Sequence, residues 1–150
     1  MNMRKQGIEE FTSVFKALSD KTRVKIIHLL GRSSLALCVC EIMDSISESH
    51  YNVSRHLKTL EHASLIHGEK KGRWVFYSLV KPKTQFRKLA LQTVMVIPEE
   101  CLLSEDIRLR KRLSLRKKGK CVVGVNSKRW HSILKQLVIT RSQRYVQKST

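Results

Sequence analysis

The sequence has no run of about eighteen apolar residues, the length a helix needs to cross a membrane. Its first residues, Met1-Asn2-Met3-Arg4-Lys5-Gln6, lack the apolar core of a secretion signal and lead straight into an amphipathic pattern, so the chain is expected in the cytoplasm, with no membrane partner. There is no glycine-rich phosphate loop, no Ser-His-Asp arrangement and no full metal-ligand set with an open position, which makes an enzyme the weakest reading. The Cys-x-x-Cys of thiol oxidoreductases is missing, and no two of the six histidines have zincin spacing. No internal repeat is present. Beyond Asp106 there is no acidic residue at all.

What is present is apolar content of 41%, enough for a core, in a chain of 150 residues, the length of one ordinary domain with a tail. The formal net charge is +18 and unevenly spread. Residues 1–80 carry 12 Lys and Arg against 8 Asp and Glu, a balance of +4, whereas residues 81–150 carry 18 against 4, a balance of +14. A polyanionic partner is the natural inference for such a chain. The expected division is a folded unit over 1–97, a basic extension over 98–125 and a basic, partly disordered tail over 126–150.

Ile8, Phe11, Phe15 and Leu18 keep helical spacing and predict a first helix. Ser19 or Asp20 caps a second, apolar over a wide arc through Val24, Ile26, Ile27, Leu29 and Leu30, with Gly31 closing it and Ser33-Ser34 as a loop. A third, shorter helix starts near Leu37 or Cys38 and carries Ile42, Met43 and Ile46 inward. Ser47-Glu48-Ser49 is a turn, and Ser49 caps the helix that follows. Pro82 breaks the chain later, and Phe86, Leu89, Thr93 and Val96 predict a helix from about Lys83 to Val96, stopped by Pro98. Its apolar face and that of the first helix are expected to form a two-fold dimer interface rather than pack only within one chain. Residues 102–120 read as a basic amphipathic helix ended by Gly119, Cys121 to Val125 as a short strand, and the stretch from Asn126 as a helix with a frayed end.

The stretch Asn52-Val53-Ser54-Arg55-His56-Leu57-Lys58-Thr59-Leu60-Glu61 has one apolar stripe, Val53, Leu57 and Leu60, and polar residues on its other faces. Their side chains have the lengths and donors that reach base edges and phosphates. After it, Leu65 to Leu79 reads as a β-hairpin with a basic, glycine-containing tip. The fold class is therefore mainly α with a β-hairpin wing, a winged helix-turn-helix, and the partner is double-stranded DNA. Arg55 and Lys58 suit phosphates or a guanine edge, Asn52 and Ser54 suit bases or phosphates, and His50 lies near the helix start. Lys70, Lys71 and Arg73 on the wing suit the backbone or minor groove.

Four cysteines in a cytosolic setting point to thiols or metal ligands rather than disulfides. Cys38-Val39-Cys40 falls at the start of the helix supporting the DNA-reading one, and thiolates suit thiophilic ions. Positions i and i+2 of a helix face different sides, so a shared ion is expected to require the first turn to unwind. That distortion would spoil the match of two recognition helices to DNA.

Phe15 to Arg23, Leu37 to Ile42, Val53 to Leu60 and Gly72 to Leu79, in that order, resemble the ArsR/SmtB family of metal-responsive repressors over about residues 8–97. The resemblance implies a homodimeric winged helix that represses a resistance operon, with dimerisation through the first and last core helices. It places Ser49, His50, Asn52, Ser54, Arg55 and His56 at the family's DNA-contact positions. Cys38-Val39-Cys40 is similar to the family's box for As(III) and Sb(III), which implies one of these as the inducer that releases operator DNA. In some arsenic repressors a third cysteine lies three residues after the second; here Met43 stands there and reads as core, which leaves Cys101 or Cys121 as a third ligand, or else a small thiol or solvent. The Asp/His and His/Glu pairs of zinc sensors are missing from residues 83–97, and no cysteine precedes Cys38 as cadmium sensors require. His28, His62, His67 and His131 read as surface or capping residues. Two alternatives are a repressor of the same fold that responds to thiol oxidation or persulfide, and a constitutive architectural binder dominated by its basic end.

Overall fold

The computed structural model describes residues 7–125 and 127–147, so Met1 to Gln6, on which the reading of the amino terminus rests, lie outside it. Seven helices and a three-stranded antiparallel sheet are arranged as a winged helix-turn-helix: α1 (Ile8–Leu18), α2 (Lys21–Ser33), β1 (Leu37–Cys38), α3 (Val39–Ile46), α4 (His50–His62), β2 (Ile66–Lys71), β3 (Trp74–Leu79), α5 (Gln85–Met95), α6 (Leu103–Leu113) and α7 (Lys128–Gln147). The expected helices and hairpin are all present. None of the described helices is long and apolar enough to cross a membrane.

The stretch between α1 and α2 shows how sequence becomes geometry. Asp20 caps α2 by accepting from the Arg23 N–H at 3.0 Å. The Arg23 side chain turns back and donates to the last carbonyls of α1, Ala17 at 2.6 Å and Lys16 at 3.0 Å. One residue pair therefore closes the end of one helix and the start of the next. Gly31 does not end α2 as expected. The helix runs to Ser33 and stops at Ser34, which is left-handed at φ 52°. Inside the helix, Gly31 leaves the space into which the end of the Met95 side chain of α5 packs. Ser47 (φ 58°) closes α3, and Ser49 caps α4 by accepting from the Asn52 N–H at 3.3 Å.

The core joins Val14, Ile26, Ile27, Leu29, Ile42, Val53, Leu57, Leu60 and Leu65, and Met43 lies in it as expected. The wing turns at Gly72-Arg73 between the paired Lys71 and Trp74, with Gly72 at φ 62°. The strand β1, which periodicity did not reveal, pairs with β3 by Leu37 to Tyr77 and Cys38 to Phe76.

Beyond Pro98 the structure departs most from expectation. A single 3-10 turn (Glu99–Cys101) leads into α6, which packs along α3 and sends Leu109 into the same core, so residues 98–125 are part of the body of the domain. α6 ends at Leu113, well before Gly119. Lys118 (φ 51°) and Gly119 (φ 72°) instead form a tight turn, with Lys117 and Lys120 exchanging both backbone hydrogen bonds. Positive φ at both central residues is the pattern of a type I′ turn, which reverses the chain. Cys121 to Val125 form no strand. α7 is helical through Gln147, past the expected fraying, and Trp130 is buried at its start; Asn126 and residues 148–150 lie outside the described residues.

Asp20→Ala should lower stability by about 1 kcal/mol, the usual value of an N-cap, in urea unfolding at neutral pH. Burial opposes the Asp20 charge, but the Arg23 N–H, then His56 and the Arg23 guanidinium, hold its carboxyl below the ordinary range. A depressed carboxyl contributes stability above its unfolded pKa and loses it as the pH falls through the folded one. The difference between wild type and variant should thus be full above about pH 5 and shrink in acid.

Candidate thiol site and nucleic-acid interface

Three cysteines far apart in sequence meet beside α3. Cys38 Sγ lies 2.9 Å from Cys40 Sγ and 3.1 Å from Cys121 Sγ, and Cys40 and Cys121 are 3.8 Å apart. All three are buried, with Trp74 and Phe76 of the wing packed against them. Cys101 is exposed and stands apart, on the 3-10 turn before α6. Among the described residues no other group of three His, Cys, Asp or Glu could hold an ion in this way.

The expected unwinding of α3 is not needed. Cys38 is not helical: it is the N-cap, extended at φ −77° and ψ 160°, and only Cys40 lies within the first turn. An extended residue followed by a helical one can aim both side chains to one side. Glu41 fixes this corner by accepting from the Cys38 N–H at 3.0 Å.

Cys121 reaches the pair because the chain after α6 is tied to α3 by two arginines. Arg112 donates to Asp44 at 2.9 Å and to the carbonyl of Val123. Arg116 grips Glu41 with two bonds of 2.7 and 2.8 Å and donates to the Ala36 carbonyl at 2.8 Å. Asp44 and Glu41 are buried; α3 is enclosed from Cys40 to Ile46. The two-fold bond of Arg116 to Glu41 and the Arg112 bond to Asp44 are what make such burial tolerable.

The thiols share protons unequally. Hydrogen bonds from Cys38 and then Cys40, helped by the Arg112 charge and opposed by desolvation, pull the Cys121 thiol well below its ordinary range. The bond to Cys121, then that to Cys40, and burial push the Cys38 thiol far up. Cys40 is raised to about 11, mainly by Cys121. Of the three, Cys121 is the thiol most readily ionised. Soft, converging sulfurs shielded from water suit a thiophilic ion. Metal–sulfur bonds of about 2.3 Å place three sulfurs roughly 3.4–3.8 Å apart; Cys40 and Cys121 already stand at 3.8 Å, and Cys38, at 2.9 and 3.1 Å from them, would move outward by a few tenths of an ångström for the three to hold such an ion.

The side chains expected to face DNA are divided by the structure. On α4, His50, Arg55 and Lys58 are exposed, and so is Ser49 at its cap. Ser54 lies 3.4 Å from His50, and Asn52 donates to Glu48 at 3.2 Å. His56 turns inward: its Nδ1 is 3.2 Å from Arg23 and 3.7 Å from Asp20. It braces α4 against the α1–α2 corner. Tyr51, exposed and beneath Arg55 at 5.5 Å, was not singled out by sequence. On the wing, Lys70 and Lys71 are exposed and Arg73 stacks on Trp74 at 4.9 Å. His28 is buried rather than at the surface, and its Nε2 lies 2.9 Å from Asp106.

Residues 20–67 match the profile of the family described as bacterial regulatory protein, arsR family. The arsenic resistance transcriptional regulator ArsR1 of Pseudomonas putida is 35% identical over 96 residues, spanning 64% of this chain and 74% of that protein. The arsenical resistance operon repressor of Escherichia coli is 39% identical over 66 residues, 44% of this chain and 56% of that one. The homodimeric winged helix-turn-helix DNA-binding domain of a Mycobacterium bovis protein shares the fold, with a TM-score of 0.52 and 20% identity over 66% of this chain and 94% of that one.

Arg116→Met would leave Glu41 buried without its partner. It should cost about 3 kcal/mol, read from the midpoint of urea unfolding.

Proposed function

The chain belongs to the arsR family of bacterial regulatory proteins, and from that premise we propose that it is a homodimeric repressor of a metalloid-resistance operon, released from its operator when As(III) or Sb(III) is held by Cys38, Cys40 and Cys121. The family is one of DNA-binding transcriptional regulators, not enzymes. The observation that carries the proposal is the meeting of three buried sulfurs within 4.8 Å of one another against both the support helix and the wing.

A trivalent metalloid supplies three positions for sulfur. The chain's own residues supply the linkage. Cys38 caps α3, Cys40 lies in its first turn, and α3 packs on α4. Trp74 packs against the sulfur cluster and also carries Arg73 over its ring. A change in sulfur spacing is therefore felt both by the helix beneath the recognition helix and by the wing tip. An inducer acts only through its different affinity for the two states of this unit. With α3 left intact, movement of the wing and of the α3 cap replaces the unwinding inferred from helical spacing.

DNA is held by α4 through Ser49, His50, Asn52, Ser54, Arg55 and Lys58 and by the wing through Lys70, Lys71 and Arg73. His56 acts from behind, by holding α4 in place. Two such units are needed for two half-sites. The surface for pairing them is the face of α1 and α5, where Phe11 and Phe15 pack edge-on to Phe86 yet Phe15 (60%), Ile8 (69%), Leu89 (50%) and Val96 (78%) stay exposed.

The decisive experiment is an anisotropy titration on promoter DNA with arsenite under reducing conditions. Cys38→Ser, Cys40→Ser and Cys121→Ser should each keep DNA affinity and lose the arsenite response, while Cys101→Ser keeps both. Release by peroxide but not by arsenite would favour a thiol-oxidation sensor instead. In the same assay Arg55→Ala should weaken operator binding by about 1 kcal/mol or more, whereas unchanged affinity would count against this docking.

A further inference from the structure

The chain after α6 folds back in a turn built almost wholly of lysine. Lys117 and Lys120 pair across it through both backbone hydrogen bonds, at 3.0 and 2.9 Å. Residues paired in this way have Cα atoms about 5.5 Å apart and send their side chains to one face, where like charges repel. Between them stand Lys118 at φ 51° and Gly119 at φ 72°. Such a turn favours Asn, Asp or Gly at both central positions, and a lysine at the first is strained. Lys117, Lys118 and Lys120 are all exposed, and none has an ion-pair partner among the described residues. No acidic residue follows Asp106 in the sequence, and the carboxylates of Glu41 and Asp44 on α3 are buried against Arg116 and Arg112. The fold thus gathers three positive charges on four residues, twice against local preference. A merely solvated surface gives no reason for either cost.

Both stems of the turn are moored beside the wing. Before it, Arg116 donates at 2.8 Å to the carbonyl of Ala36, the residue preceding β1. After it, Cys121 Sγ lies 3.1 Å from the Sγ of Cys38 in β1. β1 is an edge strand of the sheet whose other two strands make the wing, in the order β1-β3-β2. The cluster that contains Cys121 has Trp74 packed against it, and Arg73 stands over the Trp74 ring at 4.9 Å. The cations of the wing and those of the turn therefore sit on two basic hairpins joined through one buried cluster.

We propose that the turn from Lys117 to Lys120 is a second wing, which binds the phosphate backbone of the operator duplex beside the tip of the first. The inference rests on the reading of α4 and the wing as the DNA-facing elements. A phosphate between the two facing lysines turns their repulsion into a shared attraction. Lysine acts on phosphate as a point charge, so this contact adds affinity and carries no sequence information. The turn is closed by backbone bonds, which hold the two ammonium groups on one face whether or not DNA is bound.

The test is an anisotropy titration of the full chain on operator duplex and on random duplex of equal length, between about 50 and 200 mM salt. The double variant Lys117→Gln, Lys120→Gln keeps the backbone bonds of the turn and removes two charges. Each phosphate contact contributes about 0.9 to the slope of log affinity against log salt, so one contact from each turn of a dimer makes about 1.8. The slope should fall by at least that much, and affinity at the low-salt end by at least about tenfold, equally on both duplexes. Arg110→Gln with Lys111→Gln removes the same charge from exposed positions of α6 and should lower the slope by less than half as much. Lys117→Arg with Lys120→Arg should keep the wild-type slope. A smaller fall in the Gln variant of the turn overturns the proposal, as does a fall at least half as large in the α6 variant. So does a loss confined to the operator, or an Arg variant that behaves like the Gln one. If Arg55→Ala leaves operator affinity unchanged, the docking of α4 fails and the second wing with it. If Arg55→Ala weakens binding and the turn variant does not, only the second wing fails.

Discussion

Asp44 with Arg112 and Glu41 with Arg116 decide where the last third of the folded chain goes, and the thiol site exists because of where it goes. Without them α3 would carry two carboxylates on a face with nothing to receive them. With them, α6 and the segment after it close over α3, and the turn at Lys118-Gly119 brings Cys121 back to the two cysteines at the helix start. A buried ion pair is weak evidence for stability, since apolar residues of the same size often do as well. It is better understood here as a device of register, setting which residue of the segment meets the sulfurs.

The same economy of contacts appears at the corner between α1 and α2. Arg23 ends one helix, its backbone is capped by Asp20 in the next, and both side chains reach His56 on α4. The pitch of the DNA-reading helix is thereby tied to two helix termini and not only to its apolar stripe. On the far side, the wing strand β3 is shared: Phe76 pairs with Cys38, and Trp74 contacts both the sulfur cluster and Arg73. The sulfur cluster and the wing tip thus share a side chain, so the proposed coupling needs no long route between them.

Much of this was legible in the sequence, for physical reasons that can be named. Val53, Leu57 and Leu60 gave α4 by periodicity, and the hairpin was marked by Gly72 between strand-forming residues. Ser49 and Asp20 are caps by chemistry. What periodicity could not show was anything set by tertiary pairing. The two-residue strand β1 is too short to have a period and is defined only by its partner β3. Arg108, Arg112 and Arg116 read as part of a basic face for polyanions, yet Arg112 is buried and the other two bond to α3. The overlooked signal was complementary: carboxylates at 41 and 44 on a short apolar helix, and arginines at 112 and 116 in a leucine-rich one. Cys121 was named only beside Cys101, because cysteine chemistry restricts the candidates but distance along the chain does not order them. His56 was assigned outward by helical position, and Arg23 and Asp20 turn it in.

Cys38 and Cys121 are 83 residues apart. An ion held by both would be a removable clasp on a loop containing α3, α4, the wing, α5, α6 and the turn after it. Closing a loop of that length withdraws on the order of 4–5 kcal/mol of chain freedom from the unfolded state. Under the proposed function, loading would therefore make the protein harder to unravel as it leaves DNA, and the released chain would be protected from proteolysis until the ion is lost.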